Sequence, residues 1–228
     1  KITLPPISLQ KKIIDEIKGY QSVIDGCKKV VENYKPNIEY KKSWEMIEIG
    51  EIFENKTETM TPEEIMIKNP QYIGLEHIGK GTGLLIEDFK NESNQIKSNK
   101  TKFKRGDILY GKLRPNLNKV VIAEFDGICS TDILVLRKLE NDENTFFHAI
   151  FLANHFNEKV VKSISGSQLP RTNFNFIKNI KVPRPSLEDQ KFISVNLNSE
   201  KSIVQGNKLL IENFNKKILN IFEDLNKN

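Results

Sequence analysis

Apolar residues recur from Leu9 through Ile13, Ile17, Tyr20, Ile24, Cys27, Val31 and Tyr34 at intervals of four, four, three, four, three, four and three. This is a heptad seam, the pattern that packs one helix lengthwise against another. It predicts a helix over residues 8–34, roughly 40 Å long at about 1.5 Å per residue. A second seam runs through Ile193, Leu197, Val204, Ile211, Phe214, Ile218, Ile221 and Leu225, with Glu200 and Asn207 standing where apolar residues belong. Polar groups at such positions fix register at a cost in stability. Pro5-Pro6 and Pro183-Arg184-Pro185 stand just upstream of the two helices, with Ser8 and Ser186 as candidate N-caps. Pro36 ends the first helix, because its ring forbids continuation and pushes the preceding residue toward extended backbone.

The two helices are copies of one segment, 5–34 and 185–214, offset by 180 positions. Pro5, Gln10, Lys11, Ile13, Ser22, Gly26, Lys28, Glu32 and Asn33 recur as Pro185, Gln190, Lys191, Ile193, Ser202, Gly206, Lys208, Glu212 and Asn213. Stacked repeats need neighbours that follow at once to bury each unit's apolar face, so a duplication split by a whole domain is not a solenoid. A long helix with one apolar stripe needs a partner, and its copy is the obvious one. The helix-pairing residues are then Ile13, Ile17, Tyr20, Ile24 and Val31 on the first helix. Ile193, Leu197, Val204, Ile211 and Phe214 take that part on the second.

Between the helices the pattern changes. Trp44–Ile49 alternates as a strand, and Thr61-Pro62-Glu63-Glu64 opens a helix with a capping box and proline at the first helical position. Further strands are predicted at Tyr72–Ile78, Asp107–Tyr110, Lys119–Phe125, Ile128–Leu136 and Ile177–Val182, and one longer helix at Thr145–Ser163. The fold class is α+β. Its divisions are 1–36 (first helix), 37–185 (strand-rich domain with one or two helices) and 186–228 (second helix).

At 228 residues the chain is long enough for one full domain plus a smaller element, and 38% hydrophobic with 29% charged residues is ordinary globular composition. No apolar run of about 18 residues spans a membrane, and no signal peptide is present. Cys27 and Cys129 are isolated thiols without metal-ligand spacing, which suits a reduced, cytoplasmic setting. The chain opens on lysine, which points to a fragment, a processed chain or a part of something larger.

The net charge of +5 conceals a segregation. Residues 37–96 hold six lysines against twelve carboxylates, whereas 97–119 hold eight cations against one carboxylate. The swing repeats, with two cations against seven carboxylates in 120–158 and six cations against none in 159–184. Cations concentrated in this way suit a polyanion, since each neutralised phosphate releases counterions. The alternative is a folded surface that intermixes them.

Two strings stand out in the basic blocks. In 112–119, Lys112, Arg114 and Lys119 alternate with Asn116 and Asn118 on a proline-containing turn between strands. In 165–173, Ser167, Gln168, Arg171, Thr172 and Asn173 follow a helix in a segment too polar for core. Such groups contact phosphates or read base edges, or else they form solvated loops with local backbone bonds. Other strings are weaker. Asn69-Pro70-Gln71-Tyr72 lacks the second proline of an adenine-methyltransferase motif and reads as a turn. Gly79-Lys80-Gly81-Thr82-Gly83 lacks the spacing and context of a phosphate-binding P-loop. His148 and His155 have no ligand-spaced neighbours, and neither a catalytic set nor a metal site emerges from spacing.

Four strings in order resemble a known family: Leu4-Pro5-Pro6-Ile7-Ser8-Leu9-Gln10, Tyr72-Ile73-Gly74-Leu75-Glu76-His77-Ile78, Gly106 through Pro115, and Val182 through Gln190. Together they look like the specificity subunit of Type I restriction-modification enzymes. The resemblance implies a target recognition domain at 37–185 that reads one half of a split double-stranded DNA site. It also implies spacer helices paired as an antiparallel coiled coil, carrying methylation and restriction subunits in a bacterial or archaeal cytoplasm. The chain itself would be noncatalytic and without cofactor, S-adenosylmethionine belonging to the partner methyltransferase. The family has two recognition domains where this chain has one, so the helices pair either within the chain or in a homodimer. Residues 19–36 resemble versions fused behind a methyltransferase.

A motif shared by domains of different specificity cannot encode the sequence read. Lys112, Arg114 and Lys119 are therefore expected to position phosphates or support the fold. Base readout is expected from the loops around Lys80 and Thr82, from 97–105 with Lys100, Lys102, Lys104 and Arg105, and from 167–173. Two rival readings remain: a coiled-coil assembly protein whose central domain binds another protein, and a stand-alone methyltransferase or nuclease, for which no donor-binding glycine motif or carboxylate cluster is found.

Overall fold

The computed structural model describes residues 5–86, 96–163 and 170–227. Two compact units form, a helical one drawn from the residues up to Tyr34 and those from Asn198 on, and a mixed one covering Lys35–Leu197.

In the helical unit, α1 (Ile7–Asn33) pairs with the later part of α7 (Leu187–Lys227). Tyr20 packs its ring 5.1 Å from that of Phe214, and the Tyr34 hydroxyl donates to Glu200 at 3.1 Å. Moving fourteen residues forward on α1 therefore moves fourteen back on α7, which makes the pair antiparallel. Ile24, Cys27 and Val204 are buried along the seam. The polar interruption at Glu200 has its reason in Tyr34, whose phenol pKa is driven upward by burial and then by this carboxylate. Asn207 donates to Ile203 of its own helix.

Two expectations about these helices need correction. Ser8 lies inside α1, whose N-cap is Pro6, whereas Ser186 does cap α7 by accepting from the Asp189 amide at 3.2 Å. Leu197 belongs to the core of the mixed unit, with Ile193 packed against it, so neither lies on the helix-pairing seam. The reason is Gln190, 1% exposed, which anchors the first turns of α7 to that unit. Its amide donates to Pro185 and Asp142, and its oxygen accepts from the Glu143 amide. The duplicated Gln10 makes the equivalent local bond to Pro5, at 2.7 Å.

The mixed unit is layered. Strands β2 (Phe53–Lys56), β9 (Ile133–Lys138), β6 (Ile108–Gly111) and β7 (Val120–Ile122) form an antiparallel sheet in the order β2-β9-β6-β7. Because strand side chains alternate faces, Ile108, Tyr110, Leu134 and Leu136 pack on one side. There they meet Phe146, Phe147, Ile150 and Phe151 of α4 (Asn144–Leu152) and Phe156 of α5 (Asn154–Lys162). Leu109, Val121, Ile133 and Val135 pack on the other, against Ile73, Phe103 and Cys129 of a mixed sheet. That second sheet runs β3 (Thr59–Met60), β5 (Lys100–Phe103), β8 (Gly127–Cys129), β4 (Tyr72–Ile73), with β4 parallel to β8. A two-stranded ribbon of β1 (Glu45–Glu48) and β10 (Lys181–Arg184) completes the strands. Short helices α2 (Ile49–Ile52), α3 (Pro62–Lys68) and α6 (Phe174–Ile177) fill the connections.

The capping box at the start of α3 is present, with the Glu64 amide on Thr61 and the Thr61 amide on Glu64. Elsewhere tertiary bonds reshape the expected elements. The run Ile128–Leu136 is two strands in two sheets, because Ser130 to Asp132 turns the chain from one sheet to the other. Tyr72–Ile78 is a two-residue strand followed by a 3-10 turn, closed by the Gly74 amide on His77 Nδ1 at 3.0 Å. Within 177–182, α6 ends before β10 begins. The helix expected over 145–163 breaks at Ala153, whose backbone is extended. Asn118 donates to the Leu152 carbonyl released by that break, at 2.8 Å.

Candidate nucleic-acid interface

Three loops remote in sequence are tied together by backbone bonds. The 112–119 turn leaves the end of β6, and it takes a left-handed backbone at Arg114 and again at Asn118. The Gly81 amide donates to the Asn118 carbonyl at 3.0 Å, which joins the Gly79–Gly83 loop to the turn. On its other side, Leu113 and Arg171 form an antiparallel bridge flanked by two bonds, the Arg114 amide on Pro170 at 2.9 Å and the Thr172 amide on Lys112 at 3.0 Å. Gly83 is required where it stands: its φ is +72°, and a Cβ would come within 2.5 Å of the His148 ring.

Exposed on this face are Lys80, Arg114, Asn116 and Arg171, with Lys112 half-buried beside an open cleft that Arg171 and Asn55 also line. The Arg171 guanidinium is engaged by Asp132. Other candidates turn out to hold the fold together. Asn118 is buried on Leu152, and Lys119 Nζ donates to the Leu75 carbonyl, with burial and the nearby Lys80 lowering its pKa. Thr172 is 3% exposed, too deep to touch a ligand. Thr82 accepts from the Leu84 amide at 3.3 Å inside its own loop, and Asn173 caps α6 by accepting from the Phe176 amide at 3.0 Å. Ser167 and Gln168 lie outside the described residues.

The 97–105 stretch, expected as a reading loop, contains strand β5, paired on both edges by β3 and β8. Lys102 is bound to Glu58 at 2.6 Å, and Lys100 donates to Ser98 and lies over the Tyr72 ring. Lys104 and Arg105 are exposed at the following turn, where their backbone amides are held by Asp107 and Asp126. Lys102 and Lys104 line a different cleft from the one beside Arg171. Sequence reasoning missed Asp132, because a lone aspartate between two apolar runs carries no signal until Arg171 is brought to it. Among the described residues, no group of three His, Cys, Asp or Glu side chains is placed to hold a metal ion. No described helix is long and apolar enough to cross a membrane.

A layered α+β domain whose three cation-bearing loops are tied together by backbone bonds, and an antiparallel helix pair, make this a two-part protein. Residues 41–221 match the Type I restriction modification DNA specificity domain, and the chain belongs to that family. It is 25% identical to the Type I restriction enzyme MjaVIII specificity subunit of Methanocaldococcus jannaschii, an alignment covering 97% of this chain and 60% of that protein. It is 32% identical to the EcoDI specificity subunit of Escherichia coli over 54% of this chain and 27% of that one. The chain thus matches 60% or less of the length of these relatives. In fold it is similar to the S subunit from M. genitalium, with a TM-score of 0.56 and 14% identity over 96% of this chain and 59% of that one. A chain from a study of complex assembly and conformational transition of the type I R-M system gives 0.57 and 21% identity, covering 76% of this chain and 46% of that one.

Proposed function

We propose that this chain is a noncatalytic DNA-recognition module that reads one half of a split site in double-stranded DNA. Its loop face docks on the duplex. Its helix pair sets the distance and orientation of a methyltransferase partner, which holds S-adenosylmethionine, and of a restriction subunit in the same assembly. The observation that carries this reading is the convergence of Lys80, Lys112, Arg114 and Arg171 from three distant segments onto one backbone-pinned face. Membership of the specificity family supports it. So does the antiparallel helix pair, a spacer whose length is set by its number of turns.

Arg114 is exposed on a turn held at both ends, and because the turn lies in a motif shared by recognition domains of different specificity, its contact with DNA is expected to be to a phosphate. Arg114→Ala should weaken binding to all duplexes alike and flatten the plot of log affinity against log salt by about one unit. Gel-shift titration at several salt concentrations measures this. A loss confined to one base position, or a wild-type affinity indifferent to salt, contradicts the assignment.

A further inference from the structure

The geometry points to Arg171, held side-on by Asp132, as a guanine-reading side chain, an inference that rests on the DNA-recognition reading above. Arg171 presents Nε to Asp132 Oδ1 at 3.2 Å and Nη2 to Oδ2 at 3.4 Å. A guanidinium has five N–H donors in a planar fork. The side-on pair uses Nε and one hydrogen of Nη2, which leaves both hydrogens of Nη1 and the outer one of Nη2; one hydrogen from each of these two nitrogens makes a second, end-on pair. That remaining pair matches two adjacent acceptors. Among base edges in the major groove, guanine offers such a pair, N7 and O6.

The ion pair also favours a base edge over a phosphate as the target. Asp132 offsets the charge of Arg171, so long-range attraction to the backbone is weakened while the directional donors remain. What is left suits a neutral acceptor pair. The mounting is rigid as well. Asp132 stands where the chain crosses between sheets, and its carbonyl accepts from the Lys112 amide at 2.9 Å. The Lys112 carbonyl in turn accepts from Thr172, and Leu113 bridges Arg171. Arginine and aspartate thus hang from neighbouring rungs of one ladder, with the Arg171 side chain still 55% exposed. Asp132 acts through Arg171 and is a positioning residue.

The test uses the full chain, its Arg171→Lys, Arg171→Ala and Asp132→Asn variants, and a pool of randomised DNA duplexes from which bound sequences are selected and counted. Thermal melting shows that each variant is folded. The wild type should enrich a site with guanine at one position. Both Arg171 variants should lose that preference by about ten- to a hundred-fold at that position alone. Asp132→Asn should relax the same position while binding scrambled duplex as tightly as the wild type, or tighter. Unchanged selectivity in Asp132→Asn, or a uniform loss across all sequences in Arg171→Ala, overturns the inference while leaving DNA recognition standing. A wild-type chain that enriches no sequence instead overturns the recognition reading itself, and this inference with it.

Discussion

Cys129 shows how much a single side chain owes to its neighbours. It lies between β-sheets with no exposed surface, and burial, reinforced by Asp107, pushes its thiol from 9.0 up to about 12. A folded-state pKa above the unfolded one means that the native protein favours the neutral thiol. The stability this gives is complete below the unfolded pKa and is lost as pH rises from about 9 toward about 12. Urea midpoints measured across that range should fall in the wild type. In Cys129→Ala the alkaline fall should be shallower, although the variant is weaker at neutral pH because a cavity replaces the sulfur. Identical pH profiles would contradict this account. The same scale separates the candidate site residues. Arg114, Asn116 and Lys80 were legible as surface cations and amides, but Thr172, Asn118 and Lys119 carry the same polar chemistry and are spent on the fold. Composition cannot distinguish these cases, since burial is set by partners far away in the chain.

At the scale of elements, sequence pattern served best where an element is long or locally capped. The heptad seams gave both helices, and Thr61 with Glu64 gave α3. It failed at short elements made by pairing. Strand β5 reads Lys-Thr-Lys-Phe, and β3 to one side and β8 to the other make it a strand. The boundary between α4 and α5 has neither glycine nor proline to mark it. The Leu152 carbonyl that the break frees is paired by Asn118 from 34 residues away, from a left-handed backbone with φ of 45°. Asn118→Gly keeps that backbone easy but leaves the buried Leu152 carbonyl unpaired, costing about 1–3 kcal/mol. Asn118→Ala should cost about 1–2 kcal/mol more, the penalty of a Cβ in the left-handed region. Denaturation midpoints compare the two. Equal losses would mean that the backbone conformation is not what asparagine is there to permit.

At the scale of the whole molecule, the chain is two compact units, each with its own buried residues. Ile24, 1% exposed in the helical unit, is therefore a lever on one of them. Ile24→Asp buries an unpaired carboxylate, which is strongly unfavourable. It should strip amide-exchange protection from α1 and from α7 beyond Asn198, while β6 and β9 keep theirs. Loss of protection throughout would show a single cooperative unit instead.

The sequence by itself determined the duplication, the two helical seams, the α+β class and the segregation of charge, because each is a local or periodic property written at fixed spacing. The tertiary structure decided which cations face outward, where the first turns of α7 are anchored, and that Asp132 meets Arg171. Those outcomes depend on strand pairing and on hydrogen bonds between segments tens of residues apart. The energy of such contacts belongs to the folded arrangement rather than to any stretch of chain.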